Sequence, residues 1–561
     1  MHKTMDETLN RRLALRRADD GPAAAQSRRR AQGFAGHNAF SSDPVLTASL
    51  DGVLDEQTED HLSALGAYWG SAEAQEVARI ASDHPPSLRR EDFDGRRIDQ
   101  VEMHPAYHAL MNRSVNAGLL SSAWEDGEGA VQHRLRAAAL LLAAGCERGH
   151  LLPVSASHAA VASLVYASDL EAELFPLIAS RHYDRRQVPL EEKEGAVITL
   201  AISERSLSGD YGDIQTRGEL LAGDAVRITG EKTFVAAPGA DLMLVLARTA
   251  DGPTAALVPR YAPENLDAVA LDAFADYGGL DAQAIATVTF SEARGRLVGE
   301  PGRGLQVLRD VRTLTQLDSA IIAAGGTRCA VARAVHHLRT RQSGGAPLLS
   351  EPLFARTMAD LALASAAQTA LAIRLAGAFD GAFERDGDHA IARVLTPAAR
   401  VLAFDVAVSA ASAARDAMAI TALPRHHPVA RVGPDLSALN HWDGAANDAA
   451  LDLLGLVSRD ETVLSEALEE IANDLGDQPG DLVGEVLALG REAMNEPGLA
   501  RAFCERFAFL GAAASMRRNL PRVVSDAFIS SRLGGRYTSG YGALDNRFDA
   551  DAILDFIIPE D

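Results

Sequence analysis

The hydrophobic period of this chain changes twice, and that limits its architecture more than any other feature. From about residue 57 to residue 195 apolar residues recur every three or four positions. "VQHRLRAAALLLAAGCERG" shows this clearly and "HLSALGAYWGSAEAQEVARIASD" more loosely, the spacing of helices with one buried face. Pro105 suits the first turn of a helix running through "AYHALMNRSVNAGLL". Near residue 196 the period drops to two. "AVITLAISE", "AVRITGEKTFVAA", "DLMLVLART", "TAALVPR" and "ATVTFSEARGRLVG" are β-branched or alternating runs separated by Gly/Asp turns such as "LAGDA", "APGAD" and "TADGP". Five or more short strands at this spacing make a compact β-domain or barrel. "EPGRGLQ" reads as a strand-to-helix turn, after which the helical period persists to about residue 420. The Ala-rich "DLALASAAQTALAIRLAGAF" must pack closely on neighbouring helices. A last helical region, 461 to 515, precedes a Gly/Tyr-rich tail. The class is therefore α+β in the order α, β, α. The expected divisions are an arm over 1–40, a helical domain over 41–195 and a β-domain over 196–300, then a helical bundle over 301–460 and a helical extension over 461–561.

Charge and cysteine usage narrow the function classes. The formal net charge is −23 at pH 7, which repels phosphate backbones, so nucleic acid is not an expected partner. Arg11, Arg12, Arg16, Arg17 and Arg28 to Arg30 form a basic run, but Asp6, Glu7, Asp19 and Asp20 interrupt it; it reads as a solvated arm. Cys146, Cys329 and Cys504 are scattered in apolar contexts, against a disulfide framework and in keeping with a reducing cytoplasm. No apolar run looks long and clean enough to span a bilayer. The expectation is a cytoplasmic protein with no membrane partner.

Several chemistries lack their motifs. There is no GxGxxG between a strand and a helix, no Walker A sequence and no GxSxG elbow. His104 and His108 have i,i+4 spacing near Glu102, yet no third and fourth ligand accompany them. The doublets His336–His337 and His426–His427 cannot converge on one ion. Metal: none.

The β-region carries the informative motifs. "ISERSLSGDYGDIQT" runs from a strand into a loop of hydroxyls, a glycine and carboxylates, and "ITGEKTFVAAPGADLMLVLART" follows it. Together they resemble the β-domain pattern of the acyl-CoA dehydrogenase family. "HNAFSSDPVL", "GRRIDQVEMHPAYHALM", "ASRHYDRR" and "VSDAFISSRLGG" are similar to the AidB-type, adaptive alkylation-response branch. The likeness extends from about residue 37 to the C-terminus. It implies an acyl-CoA dehydrogenase-like fold with FAD held between the β-domain and the C-terminal bundle, and a homotetramer or homodimer. The substrate would be an acyl-CoA-like thioester, and the electron acceptor O2 or an electron-transfer flavoprotein.

Residue by residue, "HWDGAAND" resembles the segment whose Glu removes the α-proton of the thioester, and Asp443 occupies that position. A desolvated carboxylate is a stronger base. Asp is one methylene shorter than Glu, a retreat of roughly 1.5 Å. On the residues alone, Asp443 reads first as a helix N-cap, and the family register is what favours the base. The resemblance places Ser203 at the pyrimidine side of the flavin and Phe234 beside the isoalloxazine. Ala236, with neighbouring Ala237, stands where a hydroxyl usually meets flavin N5. Arg341 corresponds to a residue that holds a neighbouring subunit's FAD, and Asn447 to a polar cofactor contact. Ser208 and Gly209 stand in an altered Gly-Ser-Asp, and Gln316 replaces an Arg near the substrate. The glycine loop that packs on FAD has become "AITAL", residues 419 to 423. These departures leave three readings open: a dehydrogenase, a flavin-dependent oxygenase (monooxygenase), and a weakly catalytic stress-response scaffold.

Overall fold

The computed structural model describes residues 34–125, 132–205, 211–382, 384–442, 444–476, 481–534 and 540–560. The basic arm lies outside these residues, as do Ser208, Gly209 and Asp443. The chain begins with α1 (Pro44–Ser49), α2 (Glu56–Trp69) and α3 (Ala72–Asp83), followed by a two-stranded hairpin, β1 (Ser87–Glu91) and β2 (Arg97–Glu102). That hairpin corrects the expectation of unbroken helix from 57 to 195. Its strands are Arg- and Glu-rich and mostly exposed, so no alternation of apolar residues announces them; the turn at Asp94-Gly95, with Gly95 at φ 79°, was the available signal. Next come α4 (Pro105–Asn116), α5 (Gln132–Ala144), α6 (Leu151–Leu164) and α7 (Ser168–Ile178). Pro105 opens α4 as expected, and the preceding His104 ring nitrogen accepts from Ala106 N at 3.1 Å. Every residue of α6 is buried. Ser157 stitches it to the sheet, donating to the Ile198 carbonyl (3.1 Å) and accepting from Ile198 N (2.9 Å).

Seven strands follow: β3 (Ile198–Ala201), β4 (Arg217–Leu220), β5 (Ala225–Ala236), β6 (Leu242–Thr249), β7 (Gly252–Pro259), β8 (Val269–Leu271) and β9 (Ile285–Val298). β6 pairs with both β4 and β7, and the path β6-β4-β5-β9-β7 returns to β6, so the sheet closes into a barrel with β3 and β8 added alongside. Val226, Ile228, Met243, Val245, Val258 and Val288 fill its interior. β4 and β8 escaped the sequence reading: β4 is short and largely exposed, and β8 is only three residues long.

The second helical region opens with α8 (Gly304–Thr340), a helix of 37 residues. A small hairpin, β10 (Gln342–Ser343) with β11 (Ala346–Pro347), leads to α9 (Pro352–Gly381) and α10 (Asp386–Met418). Then follow α11 (Pro428–Leu439), α12 (Ala446–Arg459), α13 (Glu461–Leu475), α14 (Leu482–Asn495), α15 (Ala500–Asn519), α16 (Arg522–Arg532) and α17 (Ala550–Ile557). The last two lie largely on either side of the Gly/Tyr-rich stretch, within the segment expected as a helical extension. α9 and the stretch Asp386–Ala422 are long and apolar enough to cross a membrane, against the expectation that no such run exists. Their most apolar windows are 89% and 78% buried inside the molecule, so both are core helices here. All three cysteines are buried and free.

Buried charge joins the layers. Arg136 of α5 forms a bidentate pair with Asp318 of α8 at 2.6 and 2.8 Å. Arg148 binds Asp435 of α11 at 2.7 Å, and the other oxygen of Asp435 accepts from Leu280 N on the barrel side (2.9 Å). One carboxylate thus ties helical layer, bundle and barrel together; removing one partner of such a buried pair costs about 3–5 kcal/mol.

Candidate functional site

The barrel side of the site is a β-bulge. β5 slips register between Lys232 and Val235, and Phe234 takes φ 53°, a conformation bulky residues rarely adopt. Alternation still separates the faces: Val235 points into the barrel core, while Ala236 is buried in the core shared with the helices and Phe234 packs half-buried against it. The Phe234 ring meets Tyr277 at 4.6 Å between centroids. Ala236 is held from behind, its carbonyl accepting from the Thr199 hydroxyl, and Ala237 N donates to the Ala284 carbonyl at 2.8 Å.

Ser203 is fixed beside this bulge. Its carbonyl accepts from Thr233 N at 2.9 Å. Its neighbours are locked by Lys232, whose Nζ donates to the Ile202 carbonyl (3.0 Å) and to Glu204 Oε1 (2.8 Å). Burial pulls the Lys232 ammonium down to about 8 despite Glu204 beside it. Burial would raise the Glu204 carboxyl, but hydrogen bonds from Lys232, Thr216 and Gln215 lower it below its ordinary value. Lys232 and Glu204 are both buried, so the pair holds the Ser203 strand end against the bulge.

The helical side is an arginine-lined cavity of about 390 Å³ between the first turns of α8 and the facing parts of α10 and α12. Gln316 lies in its wall with Arg309, Arg312, Arg393, Arg459 and Tyr211. Arg312 is the hub. It pairs with Asp452 at 2.9 Å, its guanidinium sits 5.3 Å from the centre of the Tyr211 ring, and a Cβ on Gly444 would lie 3.6 Å from its Nη2. The other three arginines of the wall make no ion pair among the described residues. In a chain of net charge −23, this is a local concentration of positive charge. The two sides join through a small apolar cluster in which Leu308 of α8 packs with Ile214 and Leu246, flanked by Ile202 and Tyr211.

Residues 440–444 carry Asp443 between α11 and α12, and Arg400 spans them. This guanidinium of α10 is fully buried and its Nη2 donates to the carbonyls of both Asn440 and Gly444, each at 2.7 Å. The N-cap of α12 is Ala445, and Asp448 reaches back to accept from Ala445 N at 2.8 Å. Reading Asp443 as the cap of this helix is therefore corrected: the cap position lies two residues later. Asp443 itself, like Ser208 and Gly209, lies outside the described residues.

Ser203, Phe234, Ala236 and Ala237 are thus brought together, and Gln316 lies across the Ile202–Leu308 cluster from them. Asn447 is exposed at the second position of α12. Arg341 is not part of this grouping: it caps the far end of α8, roughly 38 Å beyond Gln316 at 1.5 Å per residue, where Nη1 lies 3.5 Å from His337 Nε2. "AITAL" forms a short 3-10 turn, Ala419–Ala422, with Ile420 and Leu423 exposed. Of the histidines weighed as metal ligands, His108 Nδ1 lies 3.0 Å from the Tyr183 hydroxyl, and no group of three or more His, Cys, Asp or Glu that could hold a metal occurs among the described residues. Sequence reasoning missed Arg312 and Arg400. The available signal was a lone Arg inside apolar helix, as in "TPAARVLAF", which burial makes costly unless it has a task.

Comparison with known proteins agrees with this architecture. Residues 30–185 match the adaptive response protein AidB N-terminal domain, and residues 302–452 match the acyl-CoA dehydrogenase C-terminal domain. The chain is 31% identical to AidB of Escherichia coli (strain K12) over 441 residues, covering 77% of this chain and 81% of the relative. It is 24% identical to acyl-CoA dehydrogenase family member 11 of Caenorhabditis elegans, covering 76% and 72%. Among solved structures it is similar to Caenorhabditis elegans ACDH-11 in complex with C11-CoA, with a TM-score of 0.79 at 19% identity over 97% of this chain and 93% of that one. It is also similar to an acyl-CoA dehydrogenase complexed with FAD from Bacillus anthracis, with a TM-score of 0.66 at 15% identity over 84% and 82%. The chain belongs to the acyl-CoA dehydrogenase family, on its AidB-type branch.

Proposed function

We propose that this protein is an FAD-dependent oxidoreductase acting on an acyl-CoA-like thioester, with Asp443 as the base that removes the α-proton. The observation that carries the reading is the arginine-lined cavity, whose Arg312 lies beside Gly444 next to Asp443. An anionic carrier such as the phosphates of CoA suits Arg309, Arg393 and Arg459, which would each offer charge-assisted hydrogen bonds. Gln316, in place of an Arg, would offer a neutral amide to the substrate.

The residues present fit a flat cofactor with an apolar face and polar edges. Phe234 offers a half-buried ring, Ser203 a hydroxyl, and Ala237 lines a cavity beside the bulge. Bound there, FAD supplies a two-electron acceptor for the hydride that leaves the β-carbon. Arg341 and Asn447 remain cofactor-contact proposals; Arg341, at the far end of α8, would serve a neighbouring subunit of a homotetramer. Ser208 and Gly209 would contact substrate.

A second reading, O2-dependent oxygenation, is favoured by one feature: neither Ala236 nor Ala237 supplies the hydroxyl usual at N5. Turnover under oxygen-18 gas separates the two. Label in the product supports oxygenation, and its absence together with an unsaturated product supports desaturation. The reading as a whole is tested by the visible absorption spectrum of freshly purified protein. Flavin bands near one FAD per chain are expected; a protein that stays colourless after incubation with FAD would point instead to a non-catalytic scaffold.

A further inference from the structure

A second cavity, of about 410 Å³, shares no lining residue with the arginine-lined one and lies between α9, α10 and the C-terminal helices α15 and α16, reaching α8 at Ala320. Its inner wall is mainly aliphatic and aromatic: Leu371, Leu375, Leu402, Phe509 and Phe528 line it, all buried, with one buried amide, Gln368, whose Nε2 donates to the Ala403 carbonyl at 2.7 Å. Its outer wall is polar and exposed, with Asp405, Ser409, Arg501 and Glu505. The space therefore has a direction, dry at the inner end and wet at the mouth. An apolar cavity of this kind does not hold water well; one of about 150 Å³ stays dry and takes up benzene. By that scale, 410 Å³ suits a molecule of roughly 10–15 heavy atoms.

The mouth decides the head group. Arg501 is paired with Asp405 at 2.6 Å, and Arg532, also in the lining, is paired with Asp360 at 2.6 Å. A carboxylate entering here would meet Asp405 and Glu505, and an ammonium would meet the two arginines. Neither sign of charge gains, whereas a neutral hydroxyl finds the Ser409 and Tyr541 hydroxyls, 3.2 Å apart. We propose that this cavity is a binding site for a neutral medium-chain amphiphile, an alkyl chain of about ten carbons ending in a hydroxyl, with the chain inward and the hydroxyl at Ser409 and Tyr541. The site is separate from the arginine-lined cavity. Ala399, Val401, Leu402 and Ala403 line it, whereas Arg400 between them turns to the 440–444 loop.

The test uses the full-length protein with 1-decanol, decanoate and decylammonium as probes in equilibrium dialysis. One saturable site is expected, with 1-decanol bound about tenfold more tightly than either charged probe, a difference of about 1.4 kcal/mol. Ala372→Leu and Ala403→Leu, which fill the inner end, should abolish this uptake. A diazirine-bearing decanol on the unmodified protein should crosslink to peptides from α9, α10 and α15, whether or not those variants fold. The proposal is overturned by the absence of a saturable site or by decanoate binding as tightly as decanol. It is equally overturned if folded variants keep full uptake, or if crosslinks fall only on peptides outside α9, α10 and α15.

Discussion

At the scale of single residues, the account depends on groups held by buried polar contacts. Arg400 bridges both sides of the loop that carries Asp443. Arg400→Met should lower kcat by about 10–100-fold with a smaller change in KM, because near-contact chemistry is sensitive to displacements of about 1 Å. Arg400→Lys, which keeps a donor, should recover part of the loss. Equal loss in both variants with native circular dichroism would contradict the positioning role. Glu147 makes a prediction about pH. Burial alone would raise its carboxyl, but the His150 ring and the backbone N–H groups of His150 and Gly149 outweigh it and bring it down to about 2. A depressed carboxyl stabilises the fold above its unfolded pKa and loses that contribution as pH falls toward the folded value. Glu147→Gln should therefore cost about 2–3 kcal/mol at pH 7, and the gap to wild type should narrow between pH 5 and pH 3 in denaturant titrations. Little of this residue scale was legible in advance. Phe234 and Ser203 could be placed by their strand motifs, but the closeness of Arg312 to Gly444 joins segments far apart in sequence, and nothing local encodes it.

At the scale of elements, legibility followed burial. β6 reads "LMLVLART" and is buried along nearly its whole length, so its apolar run named it. In the β1–β2 hairpin β1 is almost wholly exposed and β2 buries only Asp99 and Val101, and its charged sequence gave no apolar alternation to read. α8 was clear because its apolar repeat continues for ten turns, and its closest packing is at Gly325 against α5. A Cβ there would overlap the Leu141 carbonyl oxygen and come within 2.8 Å of Ala144 Cβ. In an open helix, Gly→Ala gains about 1 kcal/mol. Here the obstacle is backbone, which cannot swing aside, so overpacking of about 1–3 kcal/mol wins. Gly325→Ala should lower the midpoint of thermal unfolding, and a rise would show that α5 and α8 are not packed this closely.

At the scale of the whole molecule, two helical layers pack on a barrel, and α8, α10 and α12 frame a basic cavity on an acidic protein. The order of helix, barrel and helix was readable from the change of period alone, since each half of the pattern extends over a hundred residues or more. The cavity was not, because its arginines come from α8, α10 and α12 and converge only when these helices pack. Only the reading that no apolar run is long enough to span a bilayer failed, for a related reason: the apolar length of α9 and α10 is used against neighbouring helices. The central claim is that an acyl thioester is deprotonated by Asp443 and oxidised at a bound flavin. Its most direct test is anaerobic mixing of the FAD-loaded protein with saturated acyl-CoA esters of graded chain length, followed by visible absorbance. The account predicts bleaching of the flavin bands by at least one ester in the wild type and none in Asp443→Asn. A fully loaded wild-type protein whose spectrum no ester changes, or an Asp443→Asn variant that bleaches as fast as wild type, would contradict it.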